Sequence, residues 1–337
     1  MLPLAGCIAV TPLLEVRGLT KHFPVRGGVF MRTRGRVHAV DDVSFSVAPG
    51  ETLGLVGESG CGKSTVGKAV LRLIQPTAGQ VLFEGRDVMK MDRATLRGWR
   101  REAQIVFQDP SESLNARHSV GRILEEPFVI HRVGTPAERR RRVSALLERV
   151  GLPTSAADRF PHEFSGGQRQ RIGIARAIAL EPKLIVCDEA VSALDVSIQS
   201  QILNLLLDLQ RDMNLAIVFI AHDLAVVRHV SDRVAVMYLG RIVETASAEA
   251  IFRGARHPYT QALLSAIPEP DPARRDARRA GRIVLSGEVP SPISPPSGCT
   301  FRTRCRHARN ECASAVPSLE DAGTAHRVAC VRLREIS

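Results

Sequence analysis

Gly57-Glu58-Ser59-Gly60-Cys61-Gly62-Lys63-Ser64 sets two glycines five residues apart and follows them with Lys-Ser at the start of a helical pattern. Glycines let a backbone curl so that successive N–H groups point inward, and a helix amino terminus adds positive dipole; together they cradle phosphate. Lys63 can reach the β and γ phosphates of a nucleotide, while Ser64, with Thr65 beside it, can ligate magnesium. A second constellation is Leu184-Ile185-Val186-Cys187-Asp188-Glu189, an apolar strand ending in two carboxylates. In a doubly wound sheet such strand ends lie at the ligand crevice. Two acids after a strand are more often a helix cap when they stand alone. With a phosphate cradle upstream, Asp188 is expected to hold magnesium through water and Glu189 to orient the water that attacks ATP.

These residues need rigid elements to hold them. Alternating or continuous apolar stretches at Leu13 to Val16, Val37 to Val47, Glu51 to Val56, Gln104 to Phe107, Leu184 to Cys187 and Leu215 to Ala221 read as strands. Pro24 to Gly35 reads as a loop or hairpin insertion. Helical spacing occupies Gly62 to Ile74, Gln168 to Ala179, Val196 to Arg211 and Leu224 to Val230, with an Arg-rich helical lobe between Gln108 and Phe164. The alternation predicts an α/β fold with a mainly parallel central sheet. From about His257 the composition shifts to Pro, Arg, Ser and Cys, which suggests a small second domain with Pro268 to Arg279 as linker. The expected division is therefore an extension over 1–12, a nucleotide-binding domain over 13–255 with a helical subdomain at 108–164, and a tail domain over 256–337.

The 337 residues, 44% hydrophobic and 24% charged, describe a globular chain with ample core. No stretch approaches the roughly 18 apolar residues of a membrane-spanning helix. The net charge of +11 suits an anionic partner without choosing among nucleotide, nucleic acid and membrane surface. Neither arginine cluster, Arg139 to Arg142 or Arg274 to Arg279, is interleaved with aromatics as a nucleic-acid groove would be. Each reads as a solvated face. Leu4-Ala5-Gly6-Cys7 matches a lipoprotein processing site, but only six residues precede Cys7 and no Lys or Arg occurs before Arg17. The stretch is expected to be a frayed extension, and the cysteines to stay reduced.

Phe164-Ser165-Gly166-Gly167-Gln168, lying before the Asp188-Glu189 strand, resembles the signature of the ATP-binding-cassette (ABC) ATPases. Gln108 resembles that family's Q-loop glutamine, Ser192-Ala193-Leu194-Asp195 its D-loop, His222 its switch histidine, and Phe23 the aromatic that stacks on adenine. The resemblance covers roughly residues 13–255 and has the family's motif order. It implies a P-loop NTPase: a RecA-like core with an antiparallel β subdomain and a helical subdomain. It also implies that Ser165, Gly166, Gly167 and Gln168 face ATP on another subunit, giving a head-to-tail dimer closed by two ATP molecules. Gln108 would then join the magnesium shell and link the site to a transmembrane partner, and His222 would contact the γ-phosphate and hold Glu189.

A narrower resemblance, to the dipeptide and oligopeptide importer ATPases, is carried by DEAVSALDVSIQSQ from Asp188 to Gln201, DPSESLNARHSV from Asp109 to Val120, and His257-Pro258-Tyr259-Thr260. The insertion before Ala39-Val40-Asp41 resembles the second of that family's two paralogous ATPase subunits, which implies a heterodimer. Ala116 and Ala190-Val191 depart from the family's usual residues beside its motifs. The implied partners are a paralogous ATPase, two permease subunits and, indirectly, an extracytoplasmic binding protein, with the chain peripheral on the cytoplasmic face of the cell membrane. The same machinery imports nickel and glutathione in related systems. A soluble ABC ATPase acting on nucleic acid or ribosomes fits less well: the stretch from Lys63 to Ser165 is too short for a long coiled coil, and only one cassette is present. An inactive cassette is disfavoured by the presence of Lys63, Asp188, Glu189 and His222, and an exporter by the lack of fused membrane helices.

Cys299, Cys305, Cys312 and Cys330 have five, six and seventeen residues between successive members. Four thiolates suit iron–sulfur or zinc, although the spacing is not the paired CxxC of a zinc ribbon. The importer resemblance implies a four-iron four-sulfur cluster; read from the residues alone, packing as small hydrophobes stays open. Cys61 is expected to shape the phosphate loop rather than act as a redox switch.

Overall fold

The computed structural model describes residues 11–27, 32–109, 113–267, 281–323 and 325–336. Strands β1 (Leu14–Gly27) and β2 (Arg32–Val47) pair antiparallel, and β4 (Ala78–Phe83) and β5 (Arg86–Asp87) complete a four-stranded sheet ordered β2-β1-β4-β5. Of the loop or hairpin read for Pro24 to Gly35, the hairpin is what forms, as its described residues pair in continuation of both strands; residues 28–31 lie outside the described residues.

The second sheet carries the chemistry. It is built from β3 (Thr52–Val56), β6 (Ala103–Val106), β7 (Leu184–Asp188), β8 (Ala216–Ala221), β9 (Arg233–Tyr238), β10 (Arg241–Ser247), β11 (Glu320–Gly323) and β12 (His326–Val328). Its order is β11-β12-β10-β9-β3-β8-β7-β6. The run β9-β3-β8-β7-β6 is parallel throughout. β3, β7 and β8 are buried along their whole length, which explains their continuous apolar runs. A parallel sheet places all carboxyl ends on one edge, and the loops leaving β3, β6, β7 and β8 bring Gly57, Gln108, Glu189 and His222 there.

The helices are α1 (Lys63–Val70), α2 (Arg93–Glu102), α3 (Val120–Ile130), α4 (Pro136–Arg149), α5 (Gly166–Ile178), α6 (Val196–Met213), α7 (Leu224–Val230), α8 (Ala248–Gly254), α9 (Pro258–Ser265) and α10 (Leu333–Ile336). α3 and α4 form the helical lobe, each started by a hydroxyl cap: Ser119 for α3, and Thr135 in a reciprocal box with Glu138 for α4. Arg140, Arg141 and Arg142 on α4 are exposed, as a solvated face should be. β4, β5, β9, β10 and α2 had no counterpart in the sequence reading. Arg233–Tyr238 is short and follows directly on α7, so its apolar alternation merges with the helical pattern before it.

The tail is continuous with the core. β12 pairs with β10, so part of the region after 255 adds strands to the edge of the central sheet. Glu244, fully buried on β10, accepts the N–H groups of Arg256 at 2.7 Å and His257 at 3.2 Å and pairs with His326 Nε2 at 2.7 Å. A buried carboxylate needs several such partners to offset lost hydration, and here the tail supplies all three. Burial lowers His257 to about 4, despite the opposing pull of Glu244; its neutral Nδ1 caps α9 by accepting the N–H of Tyr259. The Leu4–Cys7 pattern and the segment Pro268 to Arg279, with its arginine cluster, lie outside the described residues.

Candidate active site

The phosphate loop is clamped from both sides. A Cβ on Gly62, at φ +106°, would come within 1.9 Å of the Ala39 carbonyl on β2; one on Gly57, at φ +154°, would come within 2.1 Å of the Met237 carbonyl on β9. Both positions therefore require glycine on space as well as conformation. Gly62 caps α1 without a side chain, which leaves the first N–H groups of the helix directed at the loop's interior. Lys63 is buried, and its Nζ donates to the carbonyls of Gly57 at 2.9 Å and Glu58 at 3.0 Å. Cys61 packs beneath the loop with its Sγ 3.8 Å from Lys63 Nζ; burial pushes its thiol up, which fits a loop-shaping residue.

The two motifs read from the sequence meet. Ser64 Oγ donates to Asp188 Oδ1 at 2.6 Å, tying the residue after the loop to the end of β7. One cavity is lined by Ser59, Gly60, Gly62, Lys63, Ser64 and Thr65, by Gln108 and Glu189, and by Val37, Ala39 and Pro292. Glu189 sits at φ +49°, a costly conformation for a non-glycine residue, held because its N–H donates to Ile220 O of β8 at 3.0 Å. That twist turns its carboxylate from the sheet toward the cavity. His222 Nδ1 lies 3.8 Å from Glu189 Oε2.

Ser165, Gly166, Gly167 and Gln168 open α5 away from this cavity. Ser165 Oγ accepts the N–H of Gln168 at 3.4 Å, and Gln168 Oε1 accepts the N–H of Ser165 at 3.0 Å. Ser165, Gly166 and Gln168 are exposed, whereas Gly167 is buried where a Cβ would meet Ile198 of α6 at 2.4 Å. Gln170, one turn into α5, donates to the Phe107 carbonyl at 3.5 Å, so this helix is joined to the segment that carries Gln108. Asp195 is exposed and begins α6. None of these signature residues lines the cavity of its own chain. Phe23 does not line it either. Its ring lies under Lys21 Nζ at 4.8 Å, one strand beyond its cross-strand partner Val37, which does face the cavity.

Three residues at the site escaped the sequence reading. The N–H of Glu58 donates to Tyr259 Oη at 3.0 Å, Arg304 Nη1 pairs with Glu58 Oε2 at 2.8 Å, and Pro292 lines the cavity. Tyr259, Tyr238 and Phe301 form a fully buried cluster with ring centroids 4.7 to 5.3 Å apart. His257-Pro258-Tyr259 stood out in the sequence only by resemblance, and nothing near Arg304 signals its partner, 246 residues away. The tail thus grips the phosphate loop directly.

Cys299, Cys305, Cys312 and Cys330 converge on one small cavity that His257 and Phe301 also line. Burial, reinforced by repulsion from the other three thiols, pushes Cys299 up to about 11, and burial raises Cys305 and Cys330 as well. Among the described residues, no three of these sulfurs lie within 4.8 Å of one another. A single tetrahedral zinc at Zn–S of about 2.3 Å would need sulfurs about 3.8 Å apart. The four sulfurs share one cavity but are not gathered as a single tetrahedral zinc would require.

Comparison with known proteins agrees with this geometry. The ABC transporter family model matches residues 40–192, and that of the oligopeptide/dipeptide transporter C-terminal region matches residues 243–312. The oligopeptide transport ATP-binding protein AppF of Bacillus subtilis is 53% identical over 319 residues, covering 94% of this chain and 96% of its own length. The dipeptide transport ATP-binding protein DppF of Escherichia coli is 50% identical, with 95% and 94% covered. Among solved structures, a dimeric bacterial ABC transporter cassette, MJ0796, superposes with a TM-score of 0.62 at 26% identity, covering 70% of this chain and 98% of that one. The cbiO1 component of a Clostridium perfringens ABC transporter gives 0.61 at 28% identity, with 72% and 91% covered. On its motifs, its sheet and these relatives, the chain belongs to the ABC transporter ATPases, with the C-terminal region of the oligopeptide/dipeptide transporter family.

Proposed function

We propose that this chain is the ATP-hydrolysing subunit of an importer for dipeptides or oligopeptides. The observation that carries the reading is the 2.6 Å Ser64–Asp188 hydrogen bond inside a cavity that also holds Lys63, Gln108 and Glu189, in a chain half identical over nearly its whole length to peptide-transport ATP-binding proteins.

The chemistry follows from these side chains. The N–H groups from Gly60 to Thr65 donate to the phosphate oxygens of ATP, and Lys63 exchanges the Gly57 and Glu58 carbonyls for them, gaining charge-assisted bonds. Ser64, Asp188 and Gln108 offer the hydroxyl, carboxylate and amide oxygens that would hold magnesium, which when bound neutralises phosphate charge. Glu189, aimed into the cavity by its left-handed backbone, accepts a hydrogen bond from the attacking water and draws its proton as the new bond to the γ-phosphorus forms and the bond from that phosphorus to the bridging oxygen breaks, so that ADP leaves with the bridging electron pair and inorganic phosphate is formed. His222, whose Nδ1 lies 3.8 Å from Glu189 Oε2 in an adjoining pocket that Glu189 also lines, would contact the γ-phosphate and hold the Glu189 carboxylate once ATP is bound. Water excluded from such a site strengthens each of these interactions.

Hydrolysis needs a second chain in this reading. Ser165, Gly166 and Gly167 present an exposed helix amino terminus to ATP bound in a partner ATPase subunit, a paralogue of this chain, while Asp195 lies at the same face. The pair docks through the helical lobe at 108–164 on two membrane-embedded permease subunits at the cytoplasmic face, and these receive substrate from an extracytoplasmic binding protein. No helix among the described residues is long and apolar enough to cross a membrane. Cys299, Cys305, Cys312 and Cys330 would hold a four-iron four-sulfur cluster, which when bound would cross-link the tail as a structural or electron-accepting centre.

Glu189→Gln keeps the shape of the side chain and removes the proton acceptor. ATP binding should be unchanged while phosphate release slows by roughly 100-fold or more, measured on the assembled transporter; unchanged turnover would remove Glu189 from this role. Arg304→Met should weaken ATP binding by about tenfold, the scale of one lost charge-assisted bond, with kcat little altered. Fluorescent-nucleotide titration checks this, and wild-type affinity would mean that the tail's grip on Glu58 is incidental. Anaerobically purified protein should carry iron that Cys305→Ser lacks. Elemental analysis finding no iron would contradict the cluster.

A further inference from the structure

We infer that His22, His38 and Asp41 form a binding site for a divalent transition-metal ion, zinc by its donor set, at the root of the β1–β2 hairpin. His22 on β1 stands directly opposite His38 on β2, and their rings lie 4.1 Å apart between centroids. Directly opposed residues of an antiparallel pair share one face of the sheet. Asp41, three residues beyond His38, would point to the other face of a regular strand. The register, however, shifts between Lys21↔Val40 and His22↔His38, so Ala39 is an extra residue opposite no partner. Such a bulge re-aims the side chains after it, and it brings the Asp41 carboxylate round to the two imidazoles. One ligand atom from each of the three residues then lies within 4.8 Å of the other two.

Two further observations point to a ligand. His22 Nε2 is buried and has no hydrogen-bond partner; it faces Asp41 Oδ1 at 3.4 Å without bonding geometry. A buried ring nitrogen left unpaired costs free energy that a metal ion placed between the two atoms would recover. The other carboxylate oxygen, Asp41 Oδ2, is held by Arg241 Nη2 at 2.5 Å, which fixes the orientation of Oδ1 as an outer partner does for a metal-binding carboxylate. The backbone is pinned as well: the N–H of His38 donates to Pro292 O at 2.9 Å and that of Asp41 to Gly240 O at 2.8 Å. All three ligand residues are half-buried, so an ion can enter and water can complete a four-coordinate shell. Two imidazoles and a carboxylate are borderline donors, suited to zinc and unsuited to magnesium or calcium.

The position gives the site a consequence. Val37 and Ala39, the neighbours of His38, line the nucleotide cavity, and the Ala39 carbonyl is the atom that abuts Gly62. An ion held between β1 and β2 fixes this wall. The site is separate from the four tail cysteines and independent of the peptide-importer reading.

The test uses the full-length protein freed of metal with a chelator. Zinc is titrated against a competing chromophoric chelator for the wild type and for His22→Gln and His38→Gln, and cobalt is used as the spectroscopic probe. The wild type should bind one zinc equivalent more than either variant, or bind it on the order of 100-fold more tightly. Zinc should raise the melting temperature of the wild type and leave that of the variants unchanged. Cobalt in this site should give visible ligand-field bands without thiolate charge transfer, a reading the wild type supplies even if a variant folds poorly. Equal zinc stoichiometry and affinity in all three proteins, or cobalt bound by the wild type only with thiolate charge transfer, would overturn the inference.

Discussion

The hydrogen bond from Ser64 to Asp188 is the point on which the site depends. It joins the helix that follows β3 to the end of β7, two elements separated by β8 in the sheet and by 124 residues in the chain. Because all the strands between them run parallel, their carboxyl ends share one edge, and a single donor–acceptor pair there registers the phosphate loop against the acidic strand. Gly62 and Gly57 make the approach feasible by letting the loop settle against the carbonyls of β2 and β9. Glu189 then takes its direction from a strained backbone tied to β8. Local strain of this kind persists only where the surrounding sheet over-determines it.

What could be read from the sequence, and what could not, divides along the same physical line. The phosphate loop is legible because the chemistry demands glycine at fixed steps and lysine and serine after them. β3, β7 and β8 are legible because strands buried on both faces carry uninterrupted apolar runs. Gln108, Asp188, Glu189 and His222 come together as the motif order implies. β9 escapes the sequence reading because a short strand following a helix with its own apolar stripe blurs both periods. Phe23, which the resemblance puts on the adenine, pairs across the strands with Val37, and Val37 holds the cavity wall. Strand register decides that, and register is set by the bulge at Ala39, which no composition rule exposes.

The tail is the larger lesson. Its Pro, Ser and Cys content marks it off in the sequence, and its contacts tie it closely to the core. Glu244 is satisfied by Arg256, His257 and His326, and β12 continues the sheet from β10. The turn between Cys299 and Cys305 carries Phe301 into the aromatic cluster and Arg304 onto Glu58, while His257 and Tyr259 reach the cysteine cavity and the phosphate loop from one short helix. The cysteine cavity is lined by Phe301, which packs on Tyr259, and Tyr259 in turn meets the phosphate loop at Glu58. Long-range pairs such as Arg304 with Glu58 leave no periodic trace in a single sequence.

The central claim is that the catalytic cavity is completed by a second chain. The most direct measurement is a structure of the assembled transporter trapped with ATP. It should show the Ser165 hydroxyl and the Gly166 N–H of this chain within hydrogen-bonding distance of the γ-phosphate held by the partner ATPase. A γ-phosphate contacted by protein atoms of one subunit alone, with Ser165 and Gly166 left in solvent, would contradict the account.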